Sequence, residues 1–420
     1  MTYIEFYDRV SVENIATCLT YMPDQLILIG TGDHVEARIR CYEELFRKRG
    51  LSVEIRSKFV SKTNLTAAVK QLTRLVEEHD DIVFDITGGD EILVLALGMV
   101  CAAHPEKKMQ IHKMNLYTGR MVDCDRDGET VFENPPVLSI EENMLIYGGK
   151  VLFNRDNAID EKNTYRWELS EDFLKDVDAM WGLCRNKGRF WNVQISILES
   201  LCGDEQKQPT LLTVTADAAR VHKDLLKKYI DYDKKLDRDF IEALLRLGLL
   251  TVYDDGGDTI TVRFKNPQVK KCLTTEGQVL ELKMYVLAKA AVADGTPVYY
   301  DVLNGVKIDW DGVVHGEEER IDVDNEIDVM LMHGVVPIFL SCKNGDLKPE
   351  ELYKLHTVAR RFGGPYARMV LVAPAIDRLG DGVRLRQRAE DMGIIVLAGD
   401  DVLRADDAAL TALLAELWNV

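Results

Sequence analysis

Apolar positions in the first 120 residues arrive in two alternating rhythms. Short runs rich in Ile, Leu, Val and Phe occur at Gln25–Gly30 (QLILIG), Leu51–Ile55, Asp81–Ile86 (DIVFDI) and Met109–Leu116. Between them, Val35–Arg49, Asn64–His79 and Glu91–Ala103 place apolar residues at helical spacing. Strand and helix in alternation predict an α/β domain with a doubly wound, mainly parallel sheet. The middle of the chain changes character. Trp167–Leu201 reads as helical, with Trp181, Phe190 and Trp191 as packing residues, and Asp237–Leu247 reads as a helix stopped by Gly248. Leu249–Phe264 then predicts a hairpin about Asp254-Asp255-Gly256-Gly257-Asp258.

From Thr275 the pattern returns to mixed elements. Thr275–Ala291 predicts an amphipathic helix with Leu280, Met284 and Leu287 on one stripe, and a further strand pair is expected in Val298–Trp310. Asn325–Met332 and Val336–Cys342 are apolar runs separated by His333-Gly334, the signal for two strands and a tight turn. A helix (Pro349–Phe362), a strand (Met369–Ala373), a second helix and a strand (Ile394–Ala398) follow. Side chains alternate along a strand, so Glu326 and Asp328 share one face and Ser341 and Lys343 share another. Folding about His333-Gly334 brings Asp328 within a residue or two of Ser341, so two carboxylates and one ammonium converge at the hairpin's open end. Such a group can hold a divalent cation on hard oxygen ligands, and a lysine beside it can stabilise charge developing on a phosphodiester.

A chain of 420 residues implies two or three domains, and 46% hydrophobic with 29% charged residues is ordinary for a soluble globular protein. The formal net charge of −18 excludes a surface coated in basic residues for nonspecific duplex binding. Nucleic acid would have to be met at a local patch, for which Lys343, Lys348, Lys354, Arg360 and Arg361 are the candidates. The eight cysteines include no C-x-x-C pair and read as reduced thiols of a cytoplasmic protein, with neither a disulfide framework nor a zinc site. Met1–Val10 has acids and no apolar centre, and no apolar run is long enough to span a bilayer, so neither a signal peptide nor a membrane contact is expected.

Ligands of doubly wound sheets bind beyond the carboxyl ends of the strands. Two glycine turns open there onto helix N-termini, Gly30-Thr31-Gly32-Asp33 and Thr87-Gly88-Gly89-Asp90, where free backbone N–H groups favour phosphate or ribose oxygens. A dinucleotide site fails on detail. GTGDHV lacks the third glycine of G-x-G-x-x-G, and no acidic residue closes the next strand in the required place.

The order helix, three strands, helix, strand from Thr275 resembles the PD-(D/E)xK restriction-endonuclease-like nucleases, with Glu281, Asp328 and Lys343 carrying the likeness. The resemblance implies that Asp328 binds metal, Glu281 assists and Lys343 orients the attacking water. The acid usually two residues before the lysine is here Ser341, so Glu326 or Glu281 would complete the ligand set with the Cys342 carbonyl. Asp85-Ile86-Thr87-Gly88-Gly89, with the Gly-Thr-Gly loop, is similar to CARF domains, the Rossmann-like sensors of cyclic oligoadenylates in type III CRISPR defence. Those sensors dimerise, and the ring sits across the two-fold axis. Asp90 and Glu91 stand where many members have Thr and Lys, so ring phosphates would rely on backbone amides and on Lys113 or Arg120. The middle helices and hairpin resemble a winged helix.

A sensor over residues 1–146, a winged-helix-like connector over 147–274 and a nuclease domain over 275–420 resemble, in that order, the CRISPR ancillary nucleases switched on by cyclic tetra-adenylate. The likeness implies a homodimer that cuts single-stranded RNA, single-stranded DNA or both, or nicks duplex DNA, with manganese or magnesium. RNA versus DNA stays open. A different class fits the same parts: a cyclic-oligoadenylate-responsive transcription regulator whose C-terminal domain is not catalytic. Asp237, Asp239 and Glu242 on the candidate recognition helix disfavour it. Ser341 is the argument for a third reading, a nuclease fold without activity.

Overall fold

The middle one of the first sheet's five parallel strands is not announced by the apolar pattern: Thr2–Phe6 (β1, TYIEF). The computed structural model describes residues 1–124, 129–130, 135–154, 163–203, 210–228, 235–313 and 324–419. β1 is made of the β-branched and aromatic types that suit a strand, and Tyr3 through Phe6 are all buried, Glu5 included. It is followed by α1 (Ala16–Tyr21), β2 (Gln25–Ile29), α2 (Asp33–Lys48), β3 (Glu54–Lys58), α3 (Leu65–Glu78), β4 (Ile82–Asp85), α4 (Glu91–Ala103), β5 (Met109–Asn115), β6 (Arg120–Asp123) and β7 (Glu129–Thr130). The strand order is β3-β2-β1-β4-β5-β6-β7, parallel from β3 to β5 and antiparallel beyond. Chain direction across the sheet reverses between β1 and β4, which makes the ends of those strands the topological switch point. β3 lies three residues later than expected. It is an edge strand with alternate side chains in water, so its apolar content marks it poorly.

α5 (Ile140–Ile146) closes the first region, and the connector comprises β8 (Lys150–Val151), α6 (Glu171–Cys184) and α7 (Gly188–Cys202), then β9 (Thr213–Asp217), α8 (Ala218–Lys228), α9 (Arg238–Arg246), β10 (Leu250–Asp255) and β11 (Thr259–Phe264). The antiparallel order β10-β11-β9 beside α8 and α9 is a winged-helix arrangement. After α10 (Pro267–Cys272) come α11 (Gln278–Ala290), a short ladder of β12 (Val292–Ala293) with β13 (Thr296–Pro297), then β14 (Asp301–Asp309), β15 (Asp324–His333), β16 (Val336–Cys342), α12 (Pro349–Gly363), β17 (Arg368–Val372), α13 (Gly382–Asp391), β18 (Ile394–Leu397), α14 (Asp400–Leu403) and α15 (Asp407–Ala415). The third sheet runs β18-β17-β16-β15-β14-β8, taking its last strand from the connector. Val298–Trp310 holds one long strand, β14, and not the expected pair. The residues before it close only a two-residue ladder.

Two apolar cores flank this sheet. Leu331, Ile338, Leu340 and Val370 face one that also holds α6, α7 and α11; Met330, Met332, Phe339 and Leu371 face another, continuous with Tyr3, Leu26, Tyr42 and Phe46 of the first domain. Alternation along each strand thus serves two different neighbours. α11 is not amphipathic as expected: Val279, Leu280, Leu282, Met284 and Leu287 are all buried, as a helix enclosed on every side requires. Its buried Lys283 reaches Asp178 at 2.8 Å and Asp407 at 2.7 Å, tying α11 to α6 and α15. The expected architecture, a Rossmann-like domain, a winged-helix-like connector and a restriction-endonuclease-like α/β domain, is borne out. None of the eight cysteines is joined in a disulfide, and among the described residues no helix is long and apolar enough to cross a membrane.

Glu5 and Asp85 face each other on β1 and β4, and neither has any exposed surface. Asp85 accepts from the Thr17 hydroxyl and from the Thr87 N–H, whereas the Glu5 oxygens meet no such donor among the described residues. Burial pushes Asp85 up to about 7 and Glu5 well above the carboxylate range, with the neighbouring acid adding to the shift on Glu5. A carboxyl whose folded pKa exceeds its unfolded one costs stability as pH rises through that interval. Glu5→Gln is therefore expected to raise the melting temperature at pH 8 and to change it little at pH 4.5. Equal shifts at both pH values in circular-dichroism melts would contradict this.

Candidate functional site

The register of β15 on β16 builds the site. Val329 pairs with Leu340, so the next position outward sets Asp328 across from Ser341, as the hairpin reading expected. On its other side β16 pairs with β17, and the Lys343 N–H still donates to the Val372 carbonyl at 2.8 Å, so the strand end is held from both flanks. Asp328 Oδ2 accepts from the Cys342 N–H at 2.6 Å, the Ser341 hydroxyl at 3.2 Å and Lys343 Nζ at 3.5 Å. Its Oδ1 accepts from no described residue. Lys343 Nζ also lies 3.2 Å from Glu351, in the first turn of α12.

Ile327 belongs to the core shared with the first domain, yet Val329 belongs to the opposite one. Two residues apart, they should share a face. The strand turns over at Asp328, and Gly305, between the pairs Asn304–Val329 and Val306–Ile327, takes φ +59. A side chain there would occupy the left-handed region that only glycine enters freely.

Glu281 enters from the first turn of α11. Gln278 Nε2 donates to it at 3.3 Å and to Asn304 Oδ1 at 3.2 Å; Asn304 also accepts from Trp167 Nε1 at 2.8 Å and donates to the Asp328 carbonyl at 2.8 Å. This buried set fixes α11 against β14 and β15 and was not legible in the sequence. Glu326 sits at the rim, paired with Lys307. Burial raises the Glu281 carboxyl well above its ordinary range, and the charges of Asp328 and Glu326 raise it further. Burial raises Asp328 too, opposed by Lys343 and the Cys342 N–H. Burial alone would lower Lys343, but Asp328 and Glu351 outweigh it and hold the ammonium above its usual value.

Among the described residues no three His, Cys, Asp or Glu side chains converge as a metal-holding group. The donors nevertheless suit a hard divalent cation that retains waters: two mutually repelling carboxylates, one with an open oxygen.

At the switch point, Gly88 presses on the loop after β1 and Gly89 on the end of β1 itself. A Cβ on Gly88 would lie 3.0 Å from Asp8 and Glu13, and one on Gly89, at φ +117, would lie 2.7 Å from Phe6 Cβ. Asp90 caps α4, accepting from Ile92 N–H at 3.0 Å, while Thr87 is tied by its own N–H to Asp85 and by its hydroxyl to Met114 N–H at 2.8 Å. Gly30, Thr31, Gly32 and Asp33 lie one strand away, where Gly32 caps α2 and Thr31 and Asp33 are exposed. Lys113 and Arg120 are exposed on β5 and β6. The residues missed are those after β1. Glu13 there is buried and accepts from the Tyr366 hydroxyl, in the C-terminal domain, at 2.7 Å. The basic patch divides. Lys343 stays at the carboxylates, whereas Arg360 and Arg361, at the far end of α12, donate to the carbonyls of Gly364 and Tyr147.

No protein-family model matches the chain, and no curated protein matches its sequence. Solved structures match its fold. Protein VC1899 from Vibrio cholerae superposes with TM-score 0.73 at 17% identity, over 100% of this chain and 98% of its own. Can2 from Sulfobacillus thermosulfidooxidans, in complex with cyclic tetra-adenylate, superposes with TM-score 0.65 at 16% identity, over 100% and 97%. At such identities the likeness is one of fold, and it extends from end to end.

Gly305→Ala is expected to lower stability by about 1–3 kcal/mol, the cost of forcing a side chain into that backbone region. Urea unfolding measures it, and an unchanged midpoint would contradict the turn-over at Asp328.

Proposed function

We propose that the chain is a nuclease activated by cyclic tetra-adenylate, dependent on a divalent metal, that hydrolyses phosphodiester bonds of single-stranded RNA or DNA as a homodimer in type III CRISPR defence. The observation that carries the reading is the meeting of Glu281, Asp328 and Lys343 on a restriction-endonuclease-like sheet, in a chain whose whole fold matches a protein bound to cyclic tetra-adenylate. In this reading residues 1–146 sense, 147–274 connect and 275–420 cut.

Asp328 Oδ1, Glu281 and the Cys342 carbonyl would hold manganese or magnesium, with Glu326 in reserve at the rim. Bound there, the cation would offset phosphodiester charge and acidify a water. Lys343 has three N–H donors, of which Asp328 and Glu351 take two. The third is free to orient the attacking water or to meet a phosphate oxygen. Ser341 does not supply a ligand; its hydroxyl holds Asp328 in its rotamer.

The activator would lie on the amides of Gly88 and Gly89 at the start of α4, with Gly30, Thr31, Gly32, Asp33, Thr87 and Asp90 around it. α4 leaves Val94, Leu95 and Met99 exposed, an apolar face that a second copy would cover and that sets two crevices side by side for a two-fold ring. The Glu13–Tyr366 hydrogen bond gives the crevice a direct contact with the segment leading into β17, whose Val372 carbonyl holds Lys343. The regulator reading is disfavoured by the acids of α9 and by a hairpin tip of Asp254, Asp255 and Asp258.

Labelled single-stranded RNA, single-stranded DNA and supercoiled plasmid, incubated with manganese, are expected to be cut only with cyclic tetra-adenylate, and Lys343→Ala to slow cutting by at least about 100-fold. Tight ring binding with no cutting of any substrate would overturn the nuclease. Manganese binding followed by electron paramagnetic resonance is expected to weaken about tenfold or more in Asp328→Asn; unaltered binding would remove Asp328 from the ligand set. Tyr366→Phe is expected to keep ring affinity while activation falls severalfold, and full activation would exclude the contact from coupling.

A further inference from the structure

Between α2 and the C-terminal end of α12 lies an open cleft of about 890 Å3, lined among others by Tyr7, Arg9, His34, Arg38, Arg40 and Arg361. Its charge runs against that of the chain. The protein carries a formal −18, yet four arginines share this cleft, and among the described residues no carboxylate pairs with any of them. Both acids of the lining have other partners. Glu44 lies 3.9 Å from Arg47 and 3.5 Å from Lys48, and Asp311 accepts from the Val313 N–H at 3.0 Å.

Two of the arginines are fixed in place by carbonyls. Arg361 donates to Tyr147 at 2.7 Å and Trp310 at 3.3 Å, and Arg38 donates to Ile146 at 3.4 Å. Their half-buried guanidinium groups are thus held close to one another from opposite domains. Burial, with the charge of Arg38, lowers the pKa of Arg361. Like charges held close together and partly desolvated are costly, and a bound anion offsets that cost. Arg9 and Arg40 are exposed at the mouth, and the Tyr7 and His34 rings, 5.7 Å apart edge to face, form one wall. The planar fork of arginine matches phosphate oxygens two at a time.

We propose that this cleft binds phosphate, either a phosphodiester backbone or a free polyphosphate, with Arg38 and Arg361 inside and Arg9 and Arg40 at the entrance. The site borders the glycine-loop crevice, where Gly30 abuts Tyr7 and Gly32 abuts His34, and its arginines belong neither to the crevice described above nor to the Asp328 centre. It goes beyond the nuclease reading and does not depend on it, because its test involves no cutting.

The test uses the full chain with EDTA present, so that no strand is cut. Fluorescence anisotropy reports a fluorescein-labelled twelve-residue oligothymidylate, and calorimetry reports tripolyphosphate. Wild type is expected to bind at least one, and preference between them tells a strand from a free anion. Arg38→Gln with Arg361→Gln is expected to weaken binding tenfold or more. Those two residues also hold the turn at Ile146 and Tyr147, so Arg9→Gln with Arg40→Gln serves as the second variant. It is expected to weaken binding severalfold and, for the oligonucleotide, to reduce the slope of log affinity against log salt by about 0.7 for each phosphate no longer neutralised. Binding of neither probe by wild type, or equal binding by wild type and both double variants, would overturn the proposal. So would one-for-one displacement of the probe by cyclic tetra-adenylate, which would assign the arginines to the activator's crevice.

Discussion

The pairing of β15 with β16 in a single register is the constraint on which the candidate centre depends. With Val329 opposite Leu340, alternate side chains enter two different cores, and a slip of one residue would exchange them wholesale. The apolar side chains therefore fix where Asp328, Ser341, Cys342 and Lys343 stand. The polar groups then exploit a local exception, the turn-over at Asp328 opposite Gly305, which frees one residue from the alternation that binds its neighbours. Carboxylates enclosed in this way repel each other, and the same confinement that penalises them makes the place suited to a cation.

The shared core joins the first domain to the candidate centre. The C-terminal sheet does not hang from a linker: its Phe339 and Met330 face enters the core that holds Tyr3, Leu26 and Tyr42, while its other face meets the connector. Movement of the first domain would have to repack that core or shift the sheet with it, because packed interiors do not deform continuously. Polar contacts across the same seam, Glu13 with Tyr366 and Arg361 with Tyr147, sit where such a displacement would be felt first. Contiguity supplies the route; coupling itself is an energy between sites.

Much of the fold was legible where local signals act alone. The hairpin was announced by β-branched runs and a glycine turn, and spacing along it placed Asp328 near Ser341 and Lys343. Glu281 followed only from the family resemblance, since a single glutamate on a helix carries no signal of its own. Trp167, Gln278 and Asn304 were not legible, because their hydrogen bonds join segments more than twenty residues apart. β1 was passed over because a short strand with a buried glutamate lacks a clean apolar run. With it went the loop after β1, and hence the switch point between β1 and β4. Glu351 and the four arginines of the α2–α12 cleft come together only through tertiary packing.

In the proposed function, occupancy of the switch-point crevice and occupancy of the Asp328 cleft are energetically linked. Linkage is reciprocal, so it can be measured without catalysis. Cyclic tetra-adenylate would be titrated by calorimetry into the Lys343→Ala protein, alone and with a saturating single strand. The expected result is a tighter ring affinity with the strand bound, by about 5-fold or more. Identical affinities would contradict it.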